Sequence, residues 1–228
     1  MLTTVLKVGF ADELITIFTQ VKIAVAILNW NGKDYLEKFL PSVTEHSQAA
    51  EVWVIDNAST DDSVKFIKEN YPQVKITVND SNGGFAKGYN DGLKNIDADL
   101  YVLLNSDVQV TDKWLTPIIK LFLDNPEIAA CQPKVKSYNK QSHFEHAGAA
   151  GGFMDKHCYT FCRGRIFNHA EEDKGQYDQS GEIFWATGAC MFIRSEDYHR
   201  QGGLDADFFA HMEEIDLCWR LKNEGRKI

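Results

Sequence analysis

The chain of 228 residues has no run approaching the ~20 apolar residues of a membrane-spanning helix, no internal repeat and no low-complexity segment. Residues 1–20 alternate apolar and polar positions, include Asp12 and Glu13, and lack the basic start and continuous apolar centre of a secretory leader. They read as an N-terminal extension, either a short added helix or a stretch upstream of a natural start near Val21. Positive charge is scarce: 24 Lys and Arg face 33 Asp and Glu, for a net charge of −9, and the basic residues are scattered. That argues against a nucleic-acid partner, which asks for a basic face, but says little about a nucleotide-sized ligand whose charge a metal balances. The five cysteines, Cys131, Cys158, Cys162, Cys190 and Cys218, are odd in number and too dispersed for a disulfide scaffold, which points to a reduced cytoplasmic setting. His157, Cys158, Cys162 and His169 lie close together, but Cys-x3-Cys with a single distant His is no standard zinc finger, so they read as loop and packing residues. Neither Gly-x-Gly-x-x-Gly nor a Walker loop occurs, which disfavours dinucleotide dehydrogenases and ATPases.

What is present is an ordinary globular composition, 44% hydrophobic and 25% charged, sized for one domain with one core. From Lys22 onward strands alternate with helices: a strand over Ile23 to Leu28, a helix from about Asp34 to Ser47, a strand over Val52 to Ile55, and a helix from about Asp61. Ser59 is the expected cap of that second helix, with Asp61 and Asp62 in its first turn and Pro72 beyond its end. A strand over Val74 to Val78, a helix from near Phe85, a buried strand at Tyr101 to Leu104, a helix from Lys113 capped by Thr111-Asp112, and a strand over Ile128 to Val135 follow. Periodicity fades between about Ser137 and Gly181, an excursion from the sheet, and returns with a strand at Cys190 to Ile193 and a helix from about Met212 to Asn223. The expected class is α/β, with a Rossmann-like, mostly parallel central sheet and helices on both faces.

Polar clusters sit where such a sheet places its ligands, at the carboxyl ends of strands. Asn29-Trp30-Asn31-Gly32 follows the first strand, Asp56-Asn57-Ala58-Ser59 the second, and Asn105-Ser106-Asp107 ends the fourth. Each alone is compatible with a simple Asx turn. Together, on one rim, they offer donors and acceptors for a base, a ribose and a diphosphate. Asn82-Gly83-Gly84-Phe85-Ala86-Lys87-Gly88-Tyr89-Asn90 puts two glycines at a helix start, where bare backbone approaches a ligand and free N–H groups point at anions.

Six segments occur in order: Ala26 to Gly32, Val54 to Asp61, Asn82 to Asn90, Leu103 to Asp107, Ala186-Thr187-Gly188-Ala189-Cys190, and His211-Met212-Glu213-Glu214-Ile215-Asp216-Leu217-Cys218-Trp219-Arg220. Together they resemble the family-two inverting glycosyltransferases of the GT-A fold, particularly the branch containing bacterial rhamnosyltransferases. The resemblance covers about residues 22–228 and implies a GT-A domain over 21–228. It also implies that the chain stops early, since Gly225-Arg226-Lys227-Ile228 reads as the start of another strand and longer relatives continue.

The resemblance implies that Asp56 meets the base or ribose, with Asn29, Asn57, Asn82, Gly83, Gly84, Asn90, Asn105 and Ser106 around the nucleotide sugar. Asp107 would bind a divalent cation, Mg²⁺ or Mn²⁺ by the hardness of its oxygens. Asn105 stands where the motif usually has its first acid, so it adds no charge to that site. Trp185, Thr187, Gly188 and Glu213 would line the sugar and acceptor side. Glu214, second of an acidic pair at a helix start, inherits the general-base role, with Glu213 or Asp216 as alternatives. The implied reaction moves a sugar from a dTDP- or UDP-sugar to a hydroxyl of a cell-surface glycan or lipid-linked precursor, in the cytoplasm or at the inner face of the membrane. Its rivals are a sugar-phosphate nucleotidyltransferase, which asks for a Gly-rich, Arg-containing loop after the first strand, and a catalytically silent nucleotide-sugar binding module.

Overall fold

In the computed structural model residues 21–228 are described, and the expected N-terminal extension lies outside them. Strand β1 (Ile23–Asn29) leads to α1 (Lys33–His46), β2 (Glu51–Asp56), α2 (Ser63–Asn70), β3 (Lys75–Val78), α3 (Gly84–Leu93), β4 (Leu100–Asn105), α4 (Thr116–Asp124) and β5 (Ala130–Cys131). After four short strands, β6 (Gly152–Met154), β7 (Thr160–Cys162), β8 (Arg165–Ile166) and β9 (His169–Ala170), come β10 (Cys190–Arg194), α5 (Ser195–Arg200), a 3₁₀ turn (Ala206–Phe208) and α6 (Glu213–Asn223).

The main sheet has the order β3-β2-β1-β4-β10-β5. β1 pairs in parallel with β2 and β4, β2 in parallel with β3, and β10 is antiparallel to both β4 and β5, so β10 alone runs against the rest. Period-two alternation divides the core. Ile23, Val25, Ile27, Leu100, Val102 and Leu104 face α1, α2 and α4, whereas Ala24, Ala26, Tyr101 and Leu103 face α3 and α6. The second face accepts α3 at close range because the helix presents bare backbone. A Cβ on Gly88 would come 2.9 Å from a Leu28 methyl, and one on Gly92 would overlap Ile55. Between them the fully buried Tyr89 hydroxyl lies 3.1 Å from the Leu104 carbonyl, 3.3 Å from that of Ala26 and 3.4 Å from the Leu28 N–H, fastening β1 to β4. No helix among the described residues is long and apolar enough to cross a membrane.

Several expected boundaries move. α2 begins at Ser63, and Ser59 does not cap it; Asp61 and Asp62 fall outside its first turn, and Asp61 accepts instead from the N–H groups of Lys33 (3.1 Å) and Ser63 (3.0 Å), tying the turn to α1. α4 begins at Thr116 with Pro117 in its first turn, because Lys113 takes a left-handed φ of 57° that breaks helical continuity with Thr111-Asp112. The strand expected over Ile128 to Val135 shrinks to Ala130–Cys131: Ile128 bridges Lys227 instead, and Pro133 offers no N–H to a ladder. The excursion after Ser137 is an antiparallel meander, β6-β7-β8-β9, whose strands of two or three residues are too short to show alternation. Helix α5 was not foreseen.

Candidate active site

β1 is flanked by strands whose connections leave in opposite directions, so a crevice opens between the ends of β1 and β4. At the end of β1 the buried Asn29 donates through Nδ2 to Asp56 Oδ2 (3.0 Å) and Ser59 Oγ (3.2 Å), and Ser59 N–H donates to Asp56 Oδ1 (2.9 Å). Asp56 is only 1% exposed, its two oxygens holding the β2 turn from within. Asn31, in a left-handed conformation (φ 49°), accepts from Thr60 N–H at 2.7 Å. Outside this network Asn31, Lys33, Asp34, Thr60, Asp61 and Asp62 line a cavity of about 420 Å³. Lys33 and Thr60 escaped the sequence reading, although each adjoins a recognised turn. Asn29 Oδ1 is buried without a partner and faces Gly32, where a Cβ would collide with it and lie 3.8 Å from Ser106 Oγ. The turns after β1 and β4 therefore touch.

A second asparagine network supports the α3 start. Asn57 Nδ2 donates to Asn82 Oδ1 (2.8 Å) and the Gly84 carbonyl (3.0 Å), while its Oδ1 accepts from Asn79 Nδ2 (3.0 Å), which also reaches the Gly88 carbonyl (3.0 Å). The N–H groups expected to be free for an anion are occupied: Gly84 donates to Asn82 Oδ1 (2.9 Å), and Phe85 (2.8 Å) and Ala86 (3.4 Å) donate to the carbonyl of Phe209. Phe209 arrives there from over a hundred residues away by adopting φ 61°, and its ring packs against Gly84, where a Cβ has no room. Asn90 is also turned inward, bonded to the Leu204 carbonyl (2.6 Å), Leu204 N–H (3.0 Å) and Tyr198 hydroxyl (2.6 Å). It secures the segment before α6 and does not project from the rim.

The β4 end carries Asn105, whose N–H donates to the Ala189 carbonyl (3.0 Å), then Ser106 and an exposed Asp107. Because β10 is antiparallel and pairs Cys190 with Leu104, the preceding Thr187-Gly188 is delivered to the same rim. Thr187 is buried, its N–H on Gln132 Oε1 (2.9 Å). The Gly188 N–H lies near enough to the Glu214 carboxylate to favour its charged form. Burial raises the pKa of Glu214, the neighbouring Glu213 charge raises it further, and the bonds from its own N–H and Gly188 and the charge of His211 only partly offset this. Glu213, buried at the helix start, is raised chiefly by burial. Each keeps one buried carboxyl oxygen, Oε2, without a partner. A carboxylate held this way is a better proton acceptor near neutral pH than a solvated one. Asp216, the remaining alternative, is paired with Arg220 at 2.8 Å, and Arg220 also clamps the Gln201 (2.6 Å) and Gly203 (2.8 Å) carbonyls.

Trp185 does not line the site. It is 6% exposed, its indole N–H donates to the Phe153 carbonyl (3.0 Å), and its ring lies on Gly152, where a Cβ would overlap it. Its bulk fills the second core face. Among the described residues no three His, Cys, Asp or Glu side chains cluster tightly enough to hold a metal by themselves. Asp107 offers one exposed hard-oxygen ligand beside the Asn105 amide. That set suits a Mg²⁺ or Mn²⁺ ion whose remaining ligands come from diphosphate and water. Cys158 is exposed in the β6–β7 turn, His169 is exposed in β9, and Cys162 is buried in β7.

The sequence profile described as Glycosyl transferase family 2 matches residues 24–200, ending before the acid pair of α6. An N-acetylglucosaminyl-diphospho-decaprenol L-rhamnosyltransferase of Mycobacterium tuberculosis is 24% identical over 220 residues, covering 88% of this chain and 70% of that protein. Rhamnosyltransferase WbbL of Escherichia coli is 22% identical over 215 residues, with 90% and 78% covered. Among solved structures, the mannosyltransferase PcManGT of Pyrobaculum calidifontis in complex with GDP-Man and Mn²⁺ superposes with a TM-score of 0.64 at 17% identity, over 91% of this chain and 53% of that one. The chain thus spans about half the length of that solved structure.

Proposed function

The chain belongs to glycosyl transferase family 2 and has the GT-A fold, and from that premise we propose that it is an inverting, metal-assisted transferase of a sugar from a dTDP- or UDP-sugar to a hydroxyl of a lipid-linked or cell-surface glycan. The observation that carries this reading is the antiparallel pairing of Cys190 with Leu104, three residues before Asp107, which brings the Thr187-Gly188 turn, whose backbone acts on Glu214, to the strand end that carries Asp107. One group is exposed and suited to a cation; the other is a desolvated carboxylate suited to a proton.

In this reading the nucleotide lies along the ends of β1 and β2, with Asn31, Lys33 and Thr60 presented outward by the Asn29-Asp56-Ser59 network. Asp107 would hold the divalent cation, which supplies positive charge that stabilises a departing diphosphate. Glu214 takes the proton of the acceptor hydroxyl as its oxygen bonds to the anomeric carbon from the side opposite the diphosphate, so the configuration inverts. The Gly188 N–H favours the charged form of the Glu214 carboxylate, and burial, the larger effect, keeps that carboxylate basic. The dTDP- or UDP-sugar donor is what the resemblance to rhamnosyltransferases implies, and the solved mannosyltransferase with GDP-Man makes a GDP-sugar the alternative to test.

Calorimetric titration with UDP, dTDP and GDP, with and without Mn²⁺, tests the donor half. Binding should strengthen with Mn²⁺ for at least one of them, and Asp107→Ala should remove that dependence. A variant whose Mn²⁺-dependent affinity is unchanged would sink the metal assignment.

A further inference from the structure

The meander β6-β7-β8-β9 projects from the domain with one end anchored and one free. At the anchored end Gly152 bridges Trp185, Ala150 and Gly151 bond to Arg163, and Glu171 bonds to Gly164. Cys162 is buried there, and Gly152 rests on the ring of Trp185, two residues before the Thr187-Gly188 turn. Antiparallel order then fixes the rest: the turn between β6 and β7, at 155–159, and the turn between β8 and β9, at 167–168, emerge side by side at the free end.

That end is apolar and uncovered. Tyr159 is 73% exposed, Ile166 66% and Phe167 87%, and Phe161 stacks on Phe153 with ring centroids 5.8 Å apart. Phe167 sits at the turn with φ 49°, a conformation bulky residues avoid, and its side chain gains no packing there. The charge around these residues is the reverse of the chain as a whole. Between Phe153 and His169 there are three bases, Lys156, Arg163 and Arg165, two histidines and one acid, Asp155, in a chain of net charge −9. Asp155 Oδ1 is held in the turn, accepting from the N–H groups of His157 (2.8 Å) and Tyr159 (2.9 Å). The acids Glu171, Glu172 and Asp173 follow β9 back at the anchored end, where Lys134 pairs with Asp173.

We propose that the two turns form a membrane seat, with Ile166, Phe167 and Tyr159 entering the interfacial layer of an anionic bilayer and the exposed Lys156 meeting its phosphates. Two narrow turns suit the soft interface of a lipid surface, where a tyrosine ring keeps its hydroxyl among headgroups and its body below them. The basic surroundings match an anionic leaflet, and the acidic remainder of the protein is repelled from it, which orients the domain with this end down. Seated so, the meander holds the Glu214 rim at a fixed height above the lipid. The seat itself involves neither donor nor metal and stands apart from the transfer reaction.

Co-sedimentation of the full chain with phosphatidylglycerol-containing vesicles and with pure phosphatidylcholine vesicles tests this. The protein should bind the anionic vesicles several-fold more tightly, and added salt should weaken that binding. Ile166→Asp with Phe167→Asp should lower the affinity by about tenfold or more, and Lys156→Glu by about fivefold or more. Melting temperature and Mn²⁺-dependent nucleotide binding should stay at the parent values, because these side chains are exposed. Failure of the parent to bind anionic vesicles, or unchanged binding by the double variant, would overturn the proposal. So would a dimer in sedimentation velocity that the double variant abolishes while vesicle binding is absent, since the tips would then be a contact between copies.

Discussion

Asn57 offers a test of how the candidate rim is held. It is 2% exposed and makes three hydrogen bonds, to Asn82 Oδ1, the Gly84 carbonyl and Asn79 Nδ2, at 2.8–3.0 Å. Truncation to Ala removes all three, but not with equal effect. Asn79 Nδ2 keeps the Gly88 carbonyl and Asn82 Oδ1 keeps the Gly84 N–H, so each of those losses is worth about 0.5–1.5 kcal/mol. The Gly84 carbonyl loses the partner it has here, at about 1–3 kcal/mol. Asn57→Ala should therefore destabilise by about 2–6 kcal/mol, seen as a lower urea midpoint with unchanged slope. Asn57→Asp separates hydrogen bonding from packing, because it keeps the shape and replaces a donor with an anion facing two acceptors. It should be at least as damaging as Ala at pH 7, and should recover relative to the parent on acidification, which restores a proton to donate. The reasoning fails if Asn57→Asp is as stable as the parent at pH 7, since the directions assigned to these bonds would then be wrong.

The acid pair gives a pH-dependent prediction. Glu213 is held above its ordinary value of 4.5 mainly by burial, so the fold favours its protonated form and loses stability as pH rises through the raised pKa. Glu213→Gln should melt higher than the parent at pH 8, and the gain should disappear as pH falls below 4.5; an equal melting temperature across the range would remove the claim of desolvation. Gly152→Ala, by driving a methyl into the Trp185 ring, should cost about 1–3 kcal/mol, a fall of roughly 2–12 °C in Tm. A neutral outcome would mean that the indole is not packed as described.

The rim was legible where chemistry is local. β1, β2 and β4 are apolar runs that stop at Asn29, Asp56 and Asn105, and a buried strand must end in something that satisfies its last backbone groups, so the polar clusters and the sheet edge were readable together. What long-range contacts decide was not. The α3 start looks like an open anion site from Gly83-Gly84 alone, yet Phe209 closes it from a distant loop. Trp185 and Asn90 have side chains fit for a ligand, and only packing against Gly152 and Leu204 shows that they serve the core. The first-turn acids of α2 were misplaced because Asp61 bonds across to Lys33, a partner no helical spacing indicates. The meander was illegible for a different reason: its two- and three-residue strands are organised by turns and by Trp185, with no period to read.

The central claim is that Glu214 is the proton acceptor for sugar transfer. The direct measurement is single-turnover transfer by Glu214→Gln, in the longest chain that carries this domain, beside nucleotide affinity for the same variant. Gln keeps the size of the side chain but cannot accept a proton. Transfer should fall by about 10²–10⁴-fold while nucleotide affinity barely changes, and the acid limb of the pH profile, with its midpoint above 4.5 in the parent, should vanish. Normal transfer by Glu214→Gln, with turnover lost instead in Glu213→Gln or Asp216→Asn, would contradict the assignment.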